Sequence, residues 1–219
     1  MDVPAVVIAT RNAGKIRELR ALLAEINLSL LTLADFPECP EVLEDGDTFL
    51  ANAAKKAQAI AACTGLPALA DDSGLEVAAL GGRPGVFSAR YGADRTAPQP
   101  HTDADNYVKL LEEMADIPWE QRRARFVCCI VVAFPGGRQV ITEGVCQGFI
   151  DFEPKGAGGF GYDPVFWLPQ YNRTMAEVGL EVKNQISHRA QALKEMQAIL
   201  ADLLHREPAL FQPATPIGT

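Results

Sequence analysis

The sequence has little of what several protein classes require. It holds only three histidines and five cysteines, and no spacing among them resembles a zinc site. Cationic residues are also few, because 20 Lys and Arg stand against 28 Asp and Glu, a net charge of −8. Binding a long nucleic acid needs an extended basic face, so this balance argues against polymeric nucleic acid as a partner. A small anionic ligand, in contrast, needs only a few local cations.

Long apolar runs are missing as well. The longest uninterrupted run, residues 126–134, has nine residues and is too short to span a bilayer. No basic region precedes the short apolar stretch near the N-terminus, so we expect no signal peptide, no membrane partner and a cytoplasmic location. Thiols stay reduced in that compartment, and the cysteines are therefore expected to be buried and unpaired.

Several familiar motifs are absent from the sequence. It contains no G-x-x-x-x-G-K-[ST] run, no G-x-S-x-G, and no G-x-G-x-x-G directly after a predicted strand. These absences argue against a P-loop, the nucleophile elbow of α/β-hydrolases and the usual dinucleotide-binding fingerprint.

What is present is an alternation of helical and strand-like apolar periodicity, with 48% hydrophobic residues over 219 positions. The strongest strand signal, ARFVCCIVVAF, is followed by a Pro-Gly-Gly turn and by RQVITEGVCQGFI, which predicts a hairpin. Helices that alternate with strands, combined with this antiparallel hairpin, predict an α/β fold with a mixed central β-sheet flanked by helices.

Local signals predict where some elements begin. Asp47 or Thr48 is expected to cap a long alanine-rich helix, and Ser187 to cap the last long helix. Thr174 and Glu177 have the spacing of a capping box for a short helix.

The first break in the apolar pattern lies in VVIATRNAGKIRELRALL, residues 6–23. A short buried strand runs into a turn that carries a hydroxyl, an amide, a glycine and a lysine, and an amphipathic helix follows. The first amides of a helix lack intrahelical partners and the helix dipole adds positive charge, so a phosphate is a natural ligand there. An ordinary turn, shaped by Asn12 and Gly14, explains the same residues equally well.

The second break is Asp71-Asp72-Ser73-Gly74. We expect a strand that ends on these carboxylates, a turn, and a second short strand. Two successive carboxylates disfavour burial unless a cation or hydrogen bonds compensate. Hard oxygen ligands suit Mg²⁺, which usually takes one or two carboxylates and substrate phosphates. The alternative is an exposed acidic turn.

Two further polar stretches stand near the C-terminus. In GGFGYDP, residues 158–164, glycines allow close approach of the backbone to a ligand, and Phe160 and Tyr162 offer flat rings to a base. The alternative is a tight loop with both rings in the core. In KNQISHR, residues 183–189, donor side chains meet a helix N-terminus, which suits an anion or a carbonyl, although surface charge would look the same.

These segments, in their order, resemble one family closely. T-x-N-x-x-K, the acidic stretch before TFLANAAKKA, ADDSGLEV with GGRPGVFSARY, GFGYDPVF and SHRAQAL are similar to the inosine/xanthosine triphosphate pyrophosphatase (HAM1-like) family. The resemblance runs from residue 5 to about residue 200. It implies a single pyrophosphatase domain over 1–206 with an elongated sheet and two lobes that flank the active-site cleft. We expect a loosely ordered tail over 207–219, and the segment 92–105 looks longer than usual.

The resemblance also implies an activity and its residues. Family members hydrolyse non-standard purine nucleoside triphosphates (ITP, dITP and XTP) to the monophosphate and pyrophosphate with Mg²⁺, and form homodimers. Glu44 and Asp72 match metal ligands, and Asp72 also matches the general base. Substrate contacts are implied for Thr10, Arg11, Asn12, Ala13, Gly14, Lys15, Lys56, Ser73, Phe160, Gly161, Tyr162, Asp163, Lys183, His188 and Arg189.

A mechanism follows from these residue types. Asp72, with Asp71 as a second candidate, would accept a proton from the attacking water; with an ordinary pKa it would be ionised but a weak base. Donors from His188, Arg189 or backbone would satisfy the 6-carbonyl of hypoxanthine or xanthine and would face the amine of adenine. Two alternatives remain at this point: a Maf-like enzyme acting on pyrimidine triphosphates, and a non-catalytic nucleotide sensor.

Overall fold

The computed structural model describes residues 3–93 and 100–212 of the chain. Its strands are β1 (Ala5–Ile8), β2 (Ser29–Thr32), β3 (Ala68–Val77), β4 (Arg123–Ala133), β5 (Gln139–Ile150), β6 (Phe166–Leu168) and β7 (Arg173–Thr174). Its α-helices are α1 (Ala13–Leu22), α2 (Phe49–Thr64), α3 (Asp103–Glu113), α4 (Gly179–Ile186) and α5 (His188–Arg206). None of the helices in these two ranges combines the length and the apolar composition that a membrane span needs.

The described strands form one mixed sheet in the order β2-β1-β3-β4-β5-β6-β7. Strand β1 pairs in parallel with β2 and β3, whereas β6 pairs antiparallel with β5 and β7. Strands β4 and β5 are neighbours joined by a tight turn, in which the Phe134 N–H donates to the Arg138 carbonyl at 2.9 Å. The predicted hairpin, the mixed sheet and the α/β class are therefore confirmed.

Residue contacts divide the chain into two compact units. Unit 1 comprises the chain up to Asp72, residues Cys128–Glu143 and the chain from Gln191 onward. Unit 2 comprises Ser73–Val127 and Gly144–Ala190.

Unit 1 has an apolar cluster on each side of β1, because successive side chains of a strand point to opposite faces. Val6 and Ile8 pack with Leu19 of α1 and with the apolar face of α5, which includes Leu193 and Met196. On the other side lies the alanine-rich face of α2. It packs with β1 through Val7, Ala9, Ala53, Ala57 and Ile60.

Unit 2 has its own core, built around β6 and the ends of the long strands. Phe126 and Phe166 are in contact there, with ring centroids 4.4 Å apart. The core also takes Leu110 and Met114 from α3. Arg122 is fully buried beside it and donates to four backbone carbonyls, those of Ile150, Met114, Ile117 and Asp151, at 2.7–3.2 Å.

Two predicted helix caps are confirmed and one is wrong. The Thr48 hydroxyl accepts from the Ala51 N–H at 3.1 Å at the start of α2, and the Ser187 hydroxyl accepts from the Ala190 N–H at 3.1 Å at the start of α5. The Glu177 carboxylate does reach back to the Thr174 N–H at 2.8 Å. It closes a turn after β7, however, because the next helix begins only at Gly179.

The prediction for residues 68–80 is wrong in one respect. Asp71 and Asp72 do not end a strand, because β3 runs without interruption from Ala68 to Val77. Basic and amide side chains from α1 and α2 contact both carboxylates, so the strand can carry them in a buried position.

The cysteine prediction is also partly wrong. Cys128, Cys129 and Cys146 are free and buried as expected. Cys39 and Cys63 form a disulfide with Cα atoms 5.8 Å apart. Their side chains meet because the segment before α2 folds back onto the end of that helix, an arrangement that a separation of 24 residues does not reveal.

The C-terminal segment differs from its prediction where it is described. Pro208–Phe211 forms a 3₁₀ helix after α5, and Phe211 is buried with its ring 5.5 Å from that of Phe134. The rest of the predicted tail, 213–219, lies outside the described residues, as do positions 94–99 of the longer loop 92–105. The single domain over 1–206 stays a prediction.

Candidate active site

The predicted site residues of unit 1 gather around the middle of β3. We use the name carboxylate–lysine cluster for Lys15, Glu44, Lys56, Asp71 and Asp72. The Lys15 ammonium pairs with the Asp71 carboxylate at 2.9 Å. The Lys56 ammonium contacts Glu44 Oε1 at 2.5 Å and the Asp71 carbonyl oxygen at 2.7 Å. Three carboxylates and two ammonium groups from four segments therefore share one site.

The two neighbouring aspartates have different surroundings. The side chain of Asp71 is fully buried against Lys15, so its charge is matched by a direct partner. Asp72 accepts from the Asn52 amide at 3.0 Å. Burial raises the pKa of Asp72 above its ordinary value; Lys56 and the Asn52 hydrogen bond oppose this shift, and Glu44 adds to it. Asp72 is thus a stronger base than the sequence suggested, and Asp71 is held in an ion pair.

Asn52 is a member of this site that sequence reasoning missed. Besides holding Asp72, its side-chain oxygen accepts from the Gly46 N–H at 2.8 Å, two residues after Glu44. A signal existed in the sequence: Asn52 and Lys56 are four residues apart, so they share one face of α2 among buried alanines.

The opening turn folds as a helix cap. The Asn12 side-chain oxygen accepts from the Gly14 N–H at 2.9 Å and from the Lys15 N–H at 3.1 Å, while the Asn12 N–H donates to the Thr10 hydroxyl at 3.2 Å. The amides predicted to cradle a phosphate are therefore already hydrogen-bonded to Asn12. The alternative interpretation of this segment, an ordinary turn, describes its local geometry. Arg11 and Ala13 stand exposed beside Asn12.

A cavity of about 130 Å³ opens next to the carboxylate–lysine cluster. Its polar lining comes from Thr10, Arg11, Glu41, Glu44 and Lys56. An anion that entered it would meet the cationic side chains of Arg11 and Lys56 and the Thr10 hydroxyl, and also the carboxylates of Glu41 and Glu44.

The predicted residues of unit 2 gather around the segment 158–163, which we call the recognition loop. The Asp163 carboxylate accepts from the Phe160 N–H at 2.9 Å and pairs with the buried Lys183 ammonium at 2.7 Å. Gly159 has a φ of +77°, and a Cβ there would lie 1.9 Å from the Asp163 carboxylate, so only glycine fits. The loop is thus folded tightly around Asp163.

The two aromatic rings of the recognition loop are separated by the fold. Phe160 is 40% exposed, and the Lys183 Nζ and the Arg189 Cζ lie 4.2 Å and 5.6 Å from its ring centroid. Tyr162 is buried, and its hydroxyl donates to the Ser88 carbonyl at 2.8 Å. Of the two interpretations of this loop, the exposed flat ring therefore describes Phe160 and the core position describes Tyr162.

The SHR segment is positioned by the start of α5. His188 stacks on Phe126, with centroids 4.8 Å apart and an interplanar angle of 14°. Arg189 is buried, and its Nη2 donates to the Ser73 hydroxyl at 3.1 Å. Ser73 directly follows Asp72 in the chain, so this contact ties α5 to the continuation of β3.

Sequence comparison shows which family this combination of segments belongs to. The sequence profile of the Ham1 family matches residues 6–199. The chain belongs to the Ham1 family. Among its relatives of this family is the dITP/XTP pyrophosphatase of Geobacillus kaustophilus, 52% identical over 191 residues, which are 87% of this chain and 91% of that protein.

Two more comparisons agree with this assignment. The dITP/XTP pyrophosphatase of Geobacter sulfurreducens is 50% identical over 198 residues, covering 90% of this chain and 95% of that protein. The solved structure of a HAM1 protein from Coxiella burnetii superposes with a TM-score of 0.83 at 40% identity, covering 90% of this chain and 98% of the other. The Ham1 fold predicted from the ordered motifs is therefore confirmed.

Proposed function

We propose that this Ham1 family member is an enzyme that hydrolyses ITP, dITP and XTP to the nucleoside monophosphate and pyrophosphate. The observation that carries the proposal is the carboxylate–lysine cluster with its buried, basic Asp72. Relatives that are 50–52% identical to this chain are named dITP/XTP pyrophosphatases, which supports the substrate class. Such an enzyme would remove faulty purine nucleotides from the cytoplasmic pool.

Glu44 and Asp72 would hold Mg²⁺. The donor set fits, because both side chains present hard carboxylate oxygens, and Mg²⁺ is usually bound through one or two carboxylates with substrate phosphates completing its coordination. Within the described residues no three Asp, Glu, His or Cys side chains are grouped so that they could hold a metal ion. When bound, Mg²⁺ would neutralise charge on the triphosphate oxygens.

Asp72 would act as the general base. Its raised pKa increases its proton affinity, and the hydrogen bond from Asn52 fixes one carboxylate oxygen. Lys56 keeps Glu44 close to Asp72 and lowers the repulsion between them. Asp71 is a weaker candidate for this role, because Lys15 already occupies its carboxylate.

Each unit carries residues that we propose as substrate contacts. In unit 1 the triphosphate would contact the turn Thr10–Lys15 and Lys56 beside the cavity. In unit 2 the exposed ring of Phe160 would stack on the base, backed by the positive charges of Lys183 and Arg189. Donors at Arg189 or His188 would favour a 6-carbonyl over the 6-amine of ATP, because the amine would leave them facing other donors.

Product analysis with a nucleotide panel tests the proposal. Purified protein is incubated with Mg²⁺ and ITP, dITP, XTP, ATP, GTP or dUTP, and pyrophosphate and orthophosphate are measured separately. Pyrophosphate from ITP, dITP and XTP in clear excess over ATP is the expected result. Release of orthophosphate would indicate a phosphatase. A preference for dUTP would indicate a Maf-like enzyme, and the absence of any product would indicate a nucleotide sensor. We also expect a homodimer, which light scattering measures directly.

A further inference from the structure

Three hydrogen bonds from side chains described above hold the recognition loop in place. We call such a bond an anchor. The Phe160 N–H donates to the Asp163 carboxylate, which also accepts from the Lys183 ammonium. The Tyr162 hydroxyl donates to the Ser88 carbonyl. Gly161 stands between the exposed ring and the buried one, with a φ of +61°. Gly161 therefore links the anchored Tyr162 to Phe160, whose ring we propose to stack on the base.

Gly161 has an anchor of its own, from a distant part of the chain. Its N–H donates to the Asp103 carboxylate at 2.7 Å, across 58 residues of sequence. A carboxylate is a stronger acceptor for a backbone N–H than a neutral carbonyl, and the contact is short. Asp103 is the first residue of α3 and is not among the residues implied by the family resemblance.

The helix that carries Asp103 is itself fixed. Thr102 and Asp105 form a capping box at its start. The Asn106 side chain accepts from the Gly92 N–H at 2.8 Å, and Leu110 is fully buried in the same core as Tyr162. Asp103 itself is exposed, but the helix start that carries it is held by these contacts, so it can hold the loop in one orientation.

We infer that Asp103 is a positioning residue for base recognition, which acts by fixing Gly161 and so the orientation of the Phe160 ring. This inference rests on the proposed function, because it assigns the ring to the base of the substrate. Asp103 accepts from a backbone N–H of the loop and would not touch the reacting phosphates. Removing Asp103 should therefore weaken binding of the nucleotide base. Loss of the anchor should raise KM for ITP and leave kcat close to that of the wild type.

The test compares three variants. Asp103→Ala removes the acceptor, Asp103→Asn keeps an acceptor oxygen without the charge, and Asp116→Ala removes one exposed carboxylate beyond the end of α3 as a matched control. We expect a KM for ITP about 5- to 10-fold higher in Asp103→Ala, in the range that loss of one backbone anchor gives. Asp103→Asn should stay within about threefold of the wild type, and Asp116→Ala should match it.

Hydrogen–deuterium exchange of the ligand-free protein separates this inference from the proposed function. Exchange of the peptide spanning 158–163 should be faster in Asp103→Ala than in the wild type and unchanged in Asp116→Ala. Unchanged exchange, or equal KM increases in Asp103→Ala and Asp103→Asn, would overturn the positioning role. Should the wild type fail to hydrolyse ITP, the proposed function fails, while the exchange result still decides whether Asp103 anchors the loop.

Discussion

Asp71 and Asp72 are adjacent carboxylates in different surroundings, so replacing each by asparagine should have opposite effects on stability. Burial raises the pKa of Asp72, which means that its ionised form destabilises the folded protein. Asp72→Asn removes that charge and keeps an oxygen for the Asn52 amide. Asp71→Asn instead breaks a buried ion pair and leaves Lys15 without its carboxylate.

The magnitudes follow from these environments. Loss of a general base lowers the rate by about 10²- to 10⁴-fold, so kcat for ITP should fall by that factor in Asp72→Asn. Its Tm in metal-free buffer should rise, by about 2–4 °C for each kcal/mol recovered in a chain of this size. Asp71→Asn should lose about 2 kcal/mol, less than the 3–5 kcal/mol of a fully buried pair, because the Lys15 side chain is 16% exposed.

The pH dependence gives the stability argument a further check. Asp72 has a higher pKa in the folded protein than in the unfolded chain, so the penalty of its charge is present at neutral pH. As the pH falls through the folded-state pKa toward the ordinary value of 3.8, folded Asp72 takes up its proton and the penalty disappears. The gain in unfolding free energy of Asp72→Asn over the wild type should therefore be largest near pH 7 and decrease in acid.

Two measurements decide the matter. Thermal unfolding in EDTA at pH 7 and pH 5 gives the stability of wild type, Asp71→Asn and Asp72→Asn, and pyrophosphate release from ITP gives kcat. The reasoning is refuted when Asp72→Asn is less stable than the wild type at pH 7. A wild-type kcat in that variant would remove Asp72 from the chemistry.

Three further changes test the cores and the stacking ring. Phe160→Ala should raise KM for ITP by roughly 5- to 150-fold, because stacking contributes about 1–3 kcal/mol per base, and should change Tm little. Phe160→Tyr should retain the wild-type KM. A wild-type KM in Phe160→Ala would contradict base stacking. Cys39→Ser/Cys63→Ser should lose about 3.5 kcal/mol of unfolding free energy in urea, the value for a closed loop of this size. Dithiothreitol should lower the stability of the wild type to the same level. Arg122→Met should cost more than about 3 kcal/mol of unfolding free energy in the same assay, because it removes the guanidinium that donates to the Ile150 and Asp151 carbonyls in a buried position. A loss under about 1 kcal/mol would contradict that role.

Features that depend on neighbouring residues were predictable from the sequence. Thr48 and Ser187 cap helices through N–H groups three residues ahead, so their signal lies within one turn of chain. The hairpin of β4 and β5 likewise follows from two apolar runs and a short glycine turn. Thr174 and Glu177 show the limit of such signals, because the same local hydrogen bond forms without a helix behind it.

Features that depend on distant residues were not predictable in this way. Whether a carboxylate can remain buried in a strand depends on which cations reach it, and Lys15 meets Asp71 only after β1, α1 and β3 have packed. Phe160 and Tyr162 have different roles because the Tyr162 ring packs in the core of unit 2 and its hydroxyl bonds to Ser88, whereas Phe160 does neither.

The sequence by itself determined the fold class, the family and the segments that carry the polar residues, because periodicity and ordered motifs are properties of the chain. Tertiary structure alone decided what each polar group does. It joined Cys39 and Cys63 in a disulfide, and it formed the hydrogen bonds from Asn52 to Asp72 and from the Gly161 N–H to Asp103. Charge state, burial and hydrogen-bond partners depend on distances between atoms that lie far apart in sequence, and only the folded chain sets those distances.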